Sequence, residues 1–198
     1  MDNEELSVRE KLIFATIDCI EEEGIKGVTT RSVAKKANVN SASINYYFGT
    51  KDNLLEQTFK SRLSHVMSDL KEIIEKNIDS PDMAVKNFLT YTFEGMIRYP
   101  GFMKANFYEA FINNDYNGSS VKWINDSLNI LLDNIKQSNT EINVEDIKLS
   151  MTQMISAMLL VGLMPNLFTG FLNMDIRAEE NQSKFINYLF EHYFGANK

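Results

Sequence analysis

Apolar side chains recur every three or four residues along most of this chain, which is the spacing of amphipathic α-helices. No stretch alternates apolar and polar residues in the way a half-buried strand does. The first amphipathic stretch begins at Ser7, which with Glu10 has the sequence of a capping box, and it ends at Gly24. Its apolar stripe comprises Leu12, Ala15, Thr16, Cys19 and Ile20. We predict an all-α fold of about nine helices.

The later helices are predicted from the same spacing together with start and stop signals. A long helix runs from Lys51 to about residue 77, and at about 1.5 Å per residue it spans on the order of 35 to 40 Å. Pro100, the polar residues 113–120, Pro165 and Gly170 interrupt the rest of the pattern. Further helices are therefore predicted at about 81–98, 100–112, 121–137, 143–164 and 178–194.

Residues 28–51 contain two short helical patterns joined by a tight turn. Thr29 or Thr30 can cap the first helix, and Asn40 can cap the second, which covers about residues 41–48. Asn38 lies between them, and asparagine accepts the left-handed conformation of a helix end more readily than other non-glycine residues. The inward positions are Val33, Ala34, Ala37, Ile44 and Phe48. This arrangement is typical of a helix-turn-helix, whose second helix enters the DNA major groove.

The basic charge of the protein is concentrated in the same segment. The whole chain has a net charge of −7, but residues 24–51 carry +5 and no acidic residue, whereas residues 1–23 and 52–198 each carry −6. The basic residues are Lys26, Arg31, Lys35, Lys36 and Lys51. A helical hairpin with a solvated face is the alternative interpretation. A basic segment confined to one place in an acidic protein favours one DNA-facing surface.

From Arg9 to Leu55 the sequence resembles the DNA-binding domain of the TetR family of bacterial transcriptional regulators. Two positions depart from the pattern: Asn38 stands where the family usually has glycine, and Asn45 stands where many members have tyrosine. Asn45 is therefore expected to alter which base is read. The matching residues are Leu12, Ile13, Ala15, Gly24, Thr29, Thr30, Val33, Ala34, Ala37, Val39, Ile44, Tyr46, Tyr47, Phe48, Lys51, Leu54 and Leu55.

The resemblance implies a DNA-binding domain at residues 1–51, with the helix-turn-helix at about 29–48, and an effector-binding and dimerisation domain at 52–198. It also implies which residues meet DNA. Phosphate contacts are expected from Thr30, Arg31, Tyr46, Tyr47 and Lys51, and base-edge contacts from Ser41, Ala42, Ser43 and Asn45. Tyr46 and Tyr47 have the alternative role of packing residues.

A methionine-rich and aromatic set follows the long helix, and flexible thioethers and flat rings can line an adaptable apolar pocket. Ordinary core packing is the alternative for each residue, and the ligand cavity is favoured because the resemblance implies one in this domain. Glu94, Glu109 and Asp115 add negative charge that would favour a cationic effector. The set comprises Phe93, Met96, Met103, Phe107, Tyr108, Trp123, Met154 and Met158.

The last two helices carry more apolar surface than an acidic monomer with one core needs. We predict that they pair with the same helices of a second copy in a four-helix bundle, as the resemblance also implies, with an intrachain core as the alternative. A twofold dimer places two reading helices in successive major grooves and prefers a palindromic operator. The expected interface residues are Leu159, Leu163, Phe185, Ile186, Leu189 and Phe190.

Features of an enzyme are scarce. His65 and His192 are not in a metal-spaced cluster, and the sequence contains no nucleophile elbow or phosphate-binding glycine loop. Cys19 is the single cysteine and is expected to be a buried, reduced thiol. We predict no catalysis, no cofactor, no metal, no membrane association and a cytoplasmic location. The expected function is a repressor that a small, mostly apolar effector releases from DNA; a helical carrier or interaction module without sequence-specific DNA binding is the alternative.

Overall fold

The computed structural model of the chain describes residues 6–138 and 141–194. Within these ranges the chain forms eleven α-helices and no strand, so the predicted all-α class is confirmed. The helices are α1 (Val8–Glu23), α2 (Thr30–Lys36), α3 (Ala42–Phe48), α4 (Lys51–Lys76), α5 (Pro81–Arg98), α6 (Pro100–Asn106), α7 (Tyr108–Asn113), α8 (Ser119–Ser138), α9 (Val144–Leu163), α10 (Thr169–Leu172) and α11 (Glu179–Phe194).

Two differences account for the larger number of helices in the described residues. The helix predicted at 100–112 is broken at Phe107, whose backbone has φ −99° and ψ 5°, so it forms α6 and α7. The Asn106 carbonyl at the end of α6 accepts a hydrogen bond from Ser120 Oγ at 2.8 Å, which satisfies an acceptor that a helix end leaves without a partner. In addition, the region around Gly170, which was predicted to interrupt the helical pattern, forms the short helix α10 (Thr169–Leu172).

The chain divides into two compact units, one formed by residues 6–65 with 101–121 and the other by residues 66–100 with the described residues from 122 onward. The predicted domain boundary at residue 51 stays a prediction. In the first unit, α1 packs against α2 and α3. The apolar stripe predicted for α1 is buried, and Ile13 and Ile17 are buried beside it. The shared core of this unit includes Leu12, Ile20, Val33, Ile44 and Leu54.

The core of the second unit is formed where α5, α9 and α11 meet. Gly162 of α9 permits a close approach to α5, because a Cβ at this position would lie 2.9 Å from Met96 Cβ. On another face of α5, the ring of Phe93 stacks on the ring of Phe185 of α11, with 5.2 Å between their centroids. These contacts fix three helices against one another through interlocked side chains.

Helix α9 is the one helix of the described residues that is long and apolar enough to cross a membrane by length and composition, with a mean hydropathy of 1.2. The core helix of a water-soluble protein has the same composition. Met151, Met154 and Met158 of α9 are buried inside the unit, so part of the apolar surface of this helix is used in packing, and 39% of the apolar window is buried.

Candidate nucleic-acid interface

The start of α2 is fixed by a reciprocal pair of hydrogen bonds. Thr29 Oγ1 accepts the Ser32 amide at 3.0 Å, and Ser32 Oγ accepts the Thr29 amide at 3.0 Å. Thr29, and not Thr30, is therefore the N-cap, and Thr30 is the first residue of α2. The cap orients the first turn of α2, where Thr30 is half-buried and Arg31 is exposed.

The turn between α2 and α3 has the geometry that Asn38 predicts. Asn38 adopts the left-handed conformation, with a φ of 52°. The amide of Val39 donates to the Ala34 carbonyl at 3.0 Å, and the amide of Asn38 donates to the Lys35 carbonyl at 3.2 Å. These two bonds form a Schellman motif, which ends α2 and redirects the chain into α3.

Helix α3 is held by its two buried residues, Ile44 and Phe48, and by a cap at its start. Asn40 Oδ1 accepts the Ala42 amide at 2.8 Å, so the Asn40 side chain covers the start of α3, although the residue directly before the helix is Ser41. With one face of the helix fixed to the core, the predicted DNA-contacting residues lie on the other positions. Ser41, Ala42, Asn45, Tyr46 and Tyr47 are exposed, and Ser43 is half-buried.

The two tyrosines of α3 are outward-facing. Tyr46 is 83% exposed and Tyr47 is 43% exposed, and their rings meet edge to face with 4.9 Å between centroids. A residue whose role is packing would be covered by its neighbours, so the exposure of Tyr46 disfavours that alternative. Tyr47 keeps part of its ring against the protein and its other side open to solvent.

The five basic residues of this segment differ in their contacts. Lys36 Nζ lies 2.5 Å from Glu22 Oε1, and this hydrogen bond raises the pKa of Lys36. Lys26 lies over the Tyr108 ring at 5.4 Å from the centroid, and its hydrogen bond with Tyr108 raises its pKa. Lys51 Nζ donates to the Val28 carbonyl at 3.2 Å and is half-buried.

Arg31 and Lys35, in contrast, are exposed and make no ion pair with any residue in the described part of the chain. Their charges are therefore available to a phosphate backbone. The sequence predicted Arg31 as a contact and did not single out Lys35. The charge count treated all five basic residues alike, because the partners of Lys26 and Lys36 are Tyr108 and Glu22, which lie outside this segment.

The predicted effector-pocket residues fall in both compact units. Met103, Phe107 and Tyr108 belong to the first, where Phe107 is buried and the other two are half-buried. Each remaining member of the set is buried in the second unit, namely Phe93, Met96, Trp123, Met154 and Met158. Glu94, Glu109 and Asp115 are exposed, so they put no negative charge into the core.

The six residues expected at the dimer interface are mostly covered within one protomer. Leu163, Ile186 and Phe190 are buried, and Leu159, Phe185 and Leu189 are half-buried. Sequence reasoning missed other large apolar residues on α9 and α11. Leu149 is 54% exposed, Leu160 is 41% exposed, and Tyr188 is 77% exposed. The spacing of apolar residues correctly predicted that these helices have apolar faces. It did not predict which of the apolar residues are buried by neighbouring helices of the same protomer.

In the described ranges, no group of three or more histidine, cysteine or acidic side chains is arranged to hold a metal ion. Cys19 is 1% exposed, and burial raises the pKa of its thiol, as its place on the apolar stripe of α1 predicts. The first unit therefore presents hydroxyl, amide, aromatic and basic groups. These groups are suited to polar recognition of a large anion.

Helices α1, α2 and α3 form a three-helix domain with a helix-turn-helix, a motif found in proteins that bind DNA through the second helix of the motif. Residues 12–58 match the family model of bacterial regulatory proteins of the tetR family. Over these residues the chain therefore carries a DNA-binding domain of the tetR type.

One relative is the HTH-type transcriptional regulator BetI of Burkholderia thailandensis, 45% identical over 62 residues. The alignment covers 31% of this chain and 30% of that protein, so the chain matches less than a third of the length of this relative.

Solved structures extend the similarity of fold to almost the whole chain. A transcriptional regulator from Rhodococcus sp. Rha1 is 18% identical with a TM-score of 0.66, and the match covers 96% of this chain and 97% of the other. The fatty acid degradation regulator FadR from Bacillus halodurans is 15% identical with a TM-score of 0.64, covering 94% and 95%. At these identities the likeness establishes the fold, a helix-turn-helix domain followed by a helical domain.

Proposed function

We propose that this protein is a ligand-responsive repressor that binds a palindromic operator as a homodimer and is released when a small, mostly apolar effector binds. The observation that carries the DNA-binding part is the exposed face of α3. Small and amide-bearing side chains lie at the start of this helix, before Tyr46, and the preceding helix α2 exposes Arg31 and Lys35, which make no ion pair among the described residues. No acidic residue occurs from Gly24 to Lys51 to repel a phosphate.

The contacts divide by chemistry. Thr30, Arg31, Tyr46 and Tyr47 are assigned to phosphates, because long or hydroxyl-bearing donors position a protein on the backbone. Lys35 is added to this set because it is exposed and has no ionic partner among the described residues. Lys51 keeps its phosphate assignment, since an ammonium has three donors and only one is directed at the Val28 carbonyl.

Base reading is assigned to Ser41, Ala42, Ser43 and Asn45 at the start of α3. Short side chains permit a close approach of the helix to the base edges, where a hydroxyl can donate or accept and the alanine methyl can contact a thymine methyl. Asn45 is exposed and can form two hydrogen bonds with adenine. This assignment predicts an operator half-site in which one adenine is the most sensitive position.

Dimerisation is proposed through α9 and α11. Leu149, Leu160 and Tyr188 expose large apolar surface on these helices, and together with the half-buried Leu159, Phe185 and Leu189 they provide apolar area for a second copy. A twofold axis between the copies makes the interface self-complementary and accounts for a palindromic operator. This surface is a revision of the predicted interface, because Leu163, Ile186 and Phe190 are covered within one protomer.

The effector is proposed to bind in the helical region after the DNA-binding domain. Binding must favour an arrangement with lower DNA affinity, and DNA must then weaken effector binding by the same factor. The protein is placed in the cytoplasm with its DNA target, and no catalytic role is assigned to it, in keeping with the relatives that are transcriptional regulators.

The test of DNA binding is fluorescence anisotropy with duplexes from immediately upstream of the coding region and with sites selected from a random duplex pool. A salt series and an unrelated competitor duplex separate specific from general binding. Arg31→Ala and Tyr46→Ala are expected to lower affinity about tenfold or more, and Arg31→Ala to reduce the salt slope by about 1. Both side chains are exposed, so the fold is expected to be retained.

The matched control is Lys60→Ala, which removes one positive charge from an exposed position of α4 outside the proposed interface. It is expected to leave specific affinity unchanged. The carrier or interaction module is the competing function. It is supported instead if no selected sequence binds better than the unrelated duplex and if Arg31→Ala behaves like Lys60→Ala.

A further inference from the structure

One exposed cation near α3 lies outside the basic segment of residues 24–51. Arg9, in the first turn of α1, is exposed and makes no ion pair with any residue in the described part of the chain. Residues 1–23 carry a net charge of −6, so a count of charge along the chain conceals this residue. The neighbouring Glu10 is engaged by the helix cap, because its carboxylate accepts the Ser7 amide at 2.9 Å.

Two contacts hold the guanidinium of Arg9 at the end of α3. Its Cζ lies over the ring of Phe48, 5.5 Å from the centroid, and its Nη2 donates to Gln57 Oε1 of α4 at 3.2 Å. Phe48 is the last residue of α3 and is buried, so its ring provides a fixed support for a planar cation. A side chain held in this way loses less conformational freedom on binding a ligand than an unsupported surface arginine.

The position of Arg9 is close to a tyrosine already assigned to a phosphate. The ring centroids of Tyr47 and Phe48 are 6.5 Å apart, and Arg9 Cζ lies 5.5 Å from the Phe48 centroid. The guanidinium is therefore no further from the Tyr47 ring than these two distances combined. Phosphates follow one another about every 3.4 Å of helix axis along each DNA strand. A strand that passes Tyr47 therefore brings further phosphates close to Arg9.

The guanidinium of Arg9 retains donors for such a phosphate. An arginine has five N–H donors in a planar fork, and the contact with Gln57 uses one of them. The fork matches the geometry of a phosphate, which can accept two of its N–H groups at once. Arg9 thus combines a fixed position, free donors and a positive charge that no carboxylate of the described residues neutralises.

We propose that Arg9 binds a phosphate of the DNA backbone and that the start of α1 forms the flank of the DNA interface beside the end of α3. The inference rests on the proposed function, because it adds a residue to the surface assigned to DNA. A structural role, in which Arg9 only covers the ring of Phe48, is the competing explanation.

Arg9→Gln removes the charge and keeps an amide donor. Anisotropy titrations over a salt series, with a selected duplex and an unrelated duplex, are expected to show about fivefold weaker binding to both. The salt slope is expected to fall by about 1 for each bound protomer. Arg9→Lys keeps the charge and is expected to keep the wild-type salt slope. The matched control is Lys104→Gln, at an exposed position of α6 in the same compact unit, which is expected to change neither quantity.

A second measurement locates the contact on the DNA. Single phosphates of the selected duplex are replaced in turn by uncharged methylphosphonates, and each duplex is titrated with the wild type and with Arg9→Gln. At one phosphate of each half-site the replacement is expected to weaken binding of the wild type about fivefold. It is expected to have no further effect on Arg9→Gln, because the two changes remove the same contact.

The proposal is wrong if Arg9→Gln lowers the melting temperature but leaves the salt slope unchanged, which is the result expected when Arg9 only covers Phe48. It is also wrong if every methylphosphonate affects Arg9→Gln and the wild type equally. Weaker binding of Arg31→Ala together with unchanged binding of Arg9→Gln refutes only this inference. Absence of sequence-specific binding by the wild type refutes the proposed function, and the salt slope with the unrelated duplex then still tests Arg9. Absence of any DNA binding refutes both.

Discussion

The carboxylate of Glu21, near the end of α1, accepts the backbone amide of Gly101 at 3.0 Å, although the two residues are 80 positions apart in the chain. The other carboxylate oxygen accepts the amide of Phe102 at 2.8 Å. These are amides of the first turn of α6, which a helix start leaves without intrahelical partners. An acidic side chain from α1 therefore caps α6 and also meets the favourable end of its dipole.

The contact depends on glycine at position 101. A Cβ there would lie 2.9 Å from Glu21 Oε2 and 3.1 Å from Glu21 Cα, and the second of these atoms belongs to the backbone of α1. Helix α6 is thus held to α1, the helix that packs against α2 and α3, within one compact unit. Neither the sequence around Glu21 nor the sequence around Gly101 predicts that these two residues are in contact.

We predict that Gly101→Ala lowers the free energy of unfolding by about 1 to 3 kcal/mol, because the methyl group forces α1 and α6 apart. Chemical denaturation measures the change. The matched control is Gly95→Ala in the interior of α5, where a Cβ meets nothing within 4 Å. That substitution is expected to stabilise the protein by about 0.5 to 1 kcal/mol through higher helix propensity. Equal stability of Gly101→Ala and the wild type would refute the close contact.

The turn between α2 and α3 provides a second prediction. Asn38 has a φ of 52°, so Asn38→Ala is expected to cost about 1 to 2 kcal/mol of stability, because a Cβ without a local polar group is strained there. Asn38→Gly is the control and is expected to stay within about 0.5 kcal/mol of the wild type. Thermal denaturation compares the two variants. If Asn38→Ala is as stable as Asn38→Gly, the left-handed conformation of residue 38 does not limit the stability of this turn.

The features that the sequence predicts well are those whose partners are close in the chain. The Ser7 capping box, the Asn40 cap and the left-handed Asn38 each depend on residues within a few positions, so local stereochemistry determines them. The apolar stripe of α1 is predictable for the same reason, since the period of the helix fixes which residues share a face.

The features that the sequence does not predict depend on partners far along the chain. Lys26 meets Tyr108 and Lys36 meets Glu22, so a charge count overestimates the cations available to DNA. The break at Phe107 coincides with a hydrogen bond from Ser120 to Asn106, which no local signal in residues 100–112 indicates. Helical spacing likewise predicts an apolar face on α11 but not that Ile186 and Phe190 are covered within one protomer.

Cys19 is expected to resist thiol reagents in the native state, because it is 1% exposed and burial raises the pKa of its thiol. The neutral thiol is favoured in the folded protein. The protonated thiol of Cys19 therefore makes its full contribution to stability below the pKa of a cysteine in the unfolded chain, about 8.5. This contribution is lost as the pH rises from that value through the higher pKa of Cys19 in the folded protein.

The difference in unfolding free energy between the wild type and Cys19→Ala is accordingly expected to narrow as the pH is raised above about 8.5. Denaturation at a series of pH values measures it, with the reaction of a chromogenic disulfide reagent as a separate test of access. A difference that is constant with pH, or rapid native labelling, would show that the thiol is open to solvent.

The exposed apolar residues of α9 and α11 provide the test of the proposed dimer. Leu160→Glu and Tyr188→Glu place charge on a surface that is open in one protomer, with 41% and 77% exposure in the wild type, so the protomer is expected to fold normally. In a dimer the same carboxylates would be buried against the partner without a counter-charge, which is strongly unfavourable. Sedimentation at micromolar concentration is therefore expected to find a wild-type dimer and monomeric variants.

Loss of the dimer is also expected to weaken binding to a palindromic operator by roughly a hundredfold, because the two half-sites are no longer engaged together. Ile78→Glu is the control, since Ile78 is 70% exposed but lies outside α9 and α11. It is expected to remain dimeric and to bind the operator like the wild type. The proposal would be wrong if Leu160→Glu and Tyr188→Glu remained dimeric while Ile78→Glu became monomeric. The interface would then lie outside α9 and α11, and the two reading helices would be arranged differently.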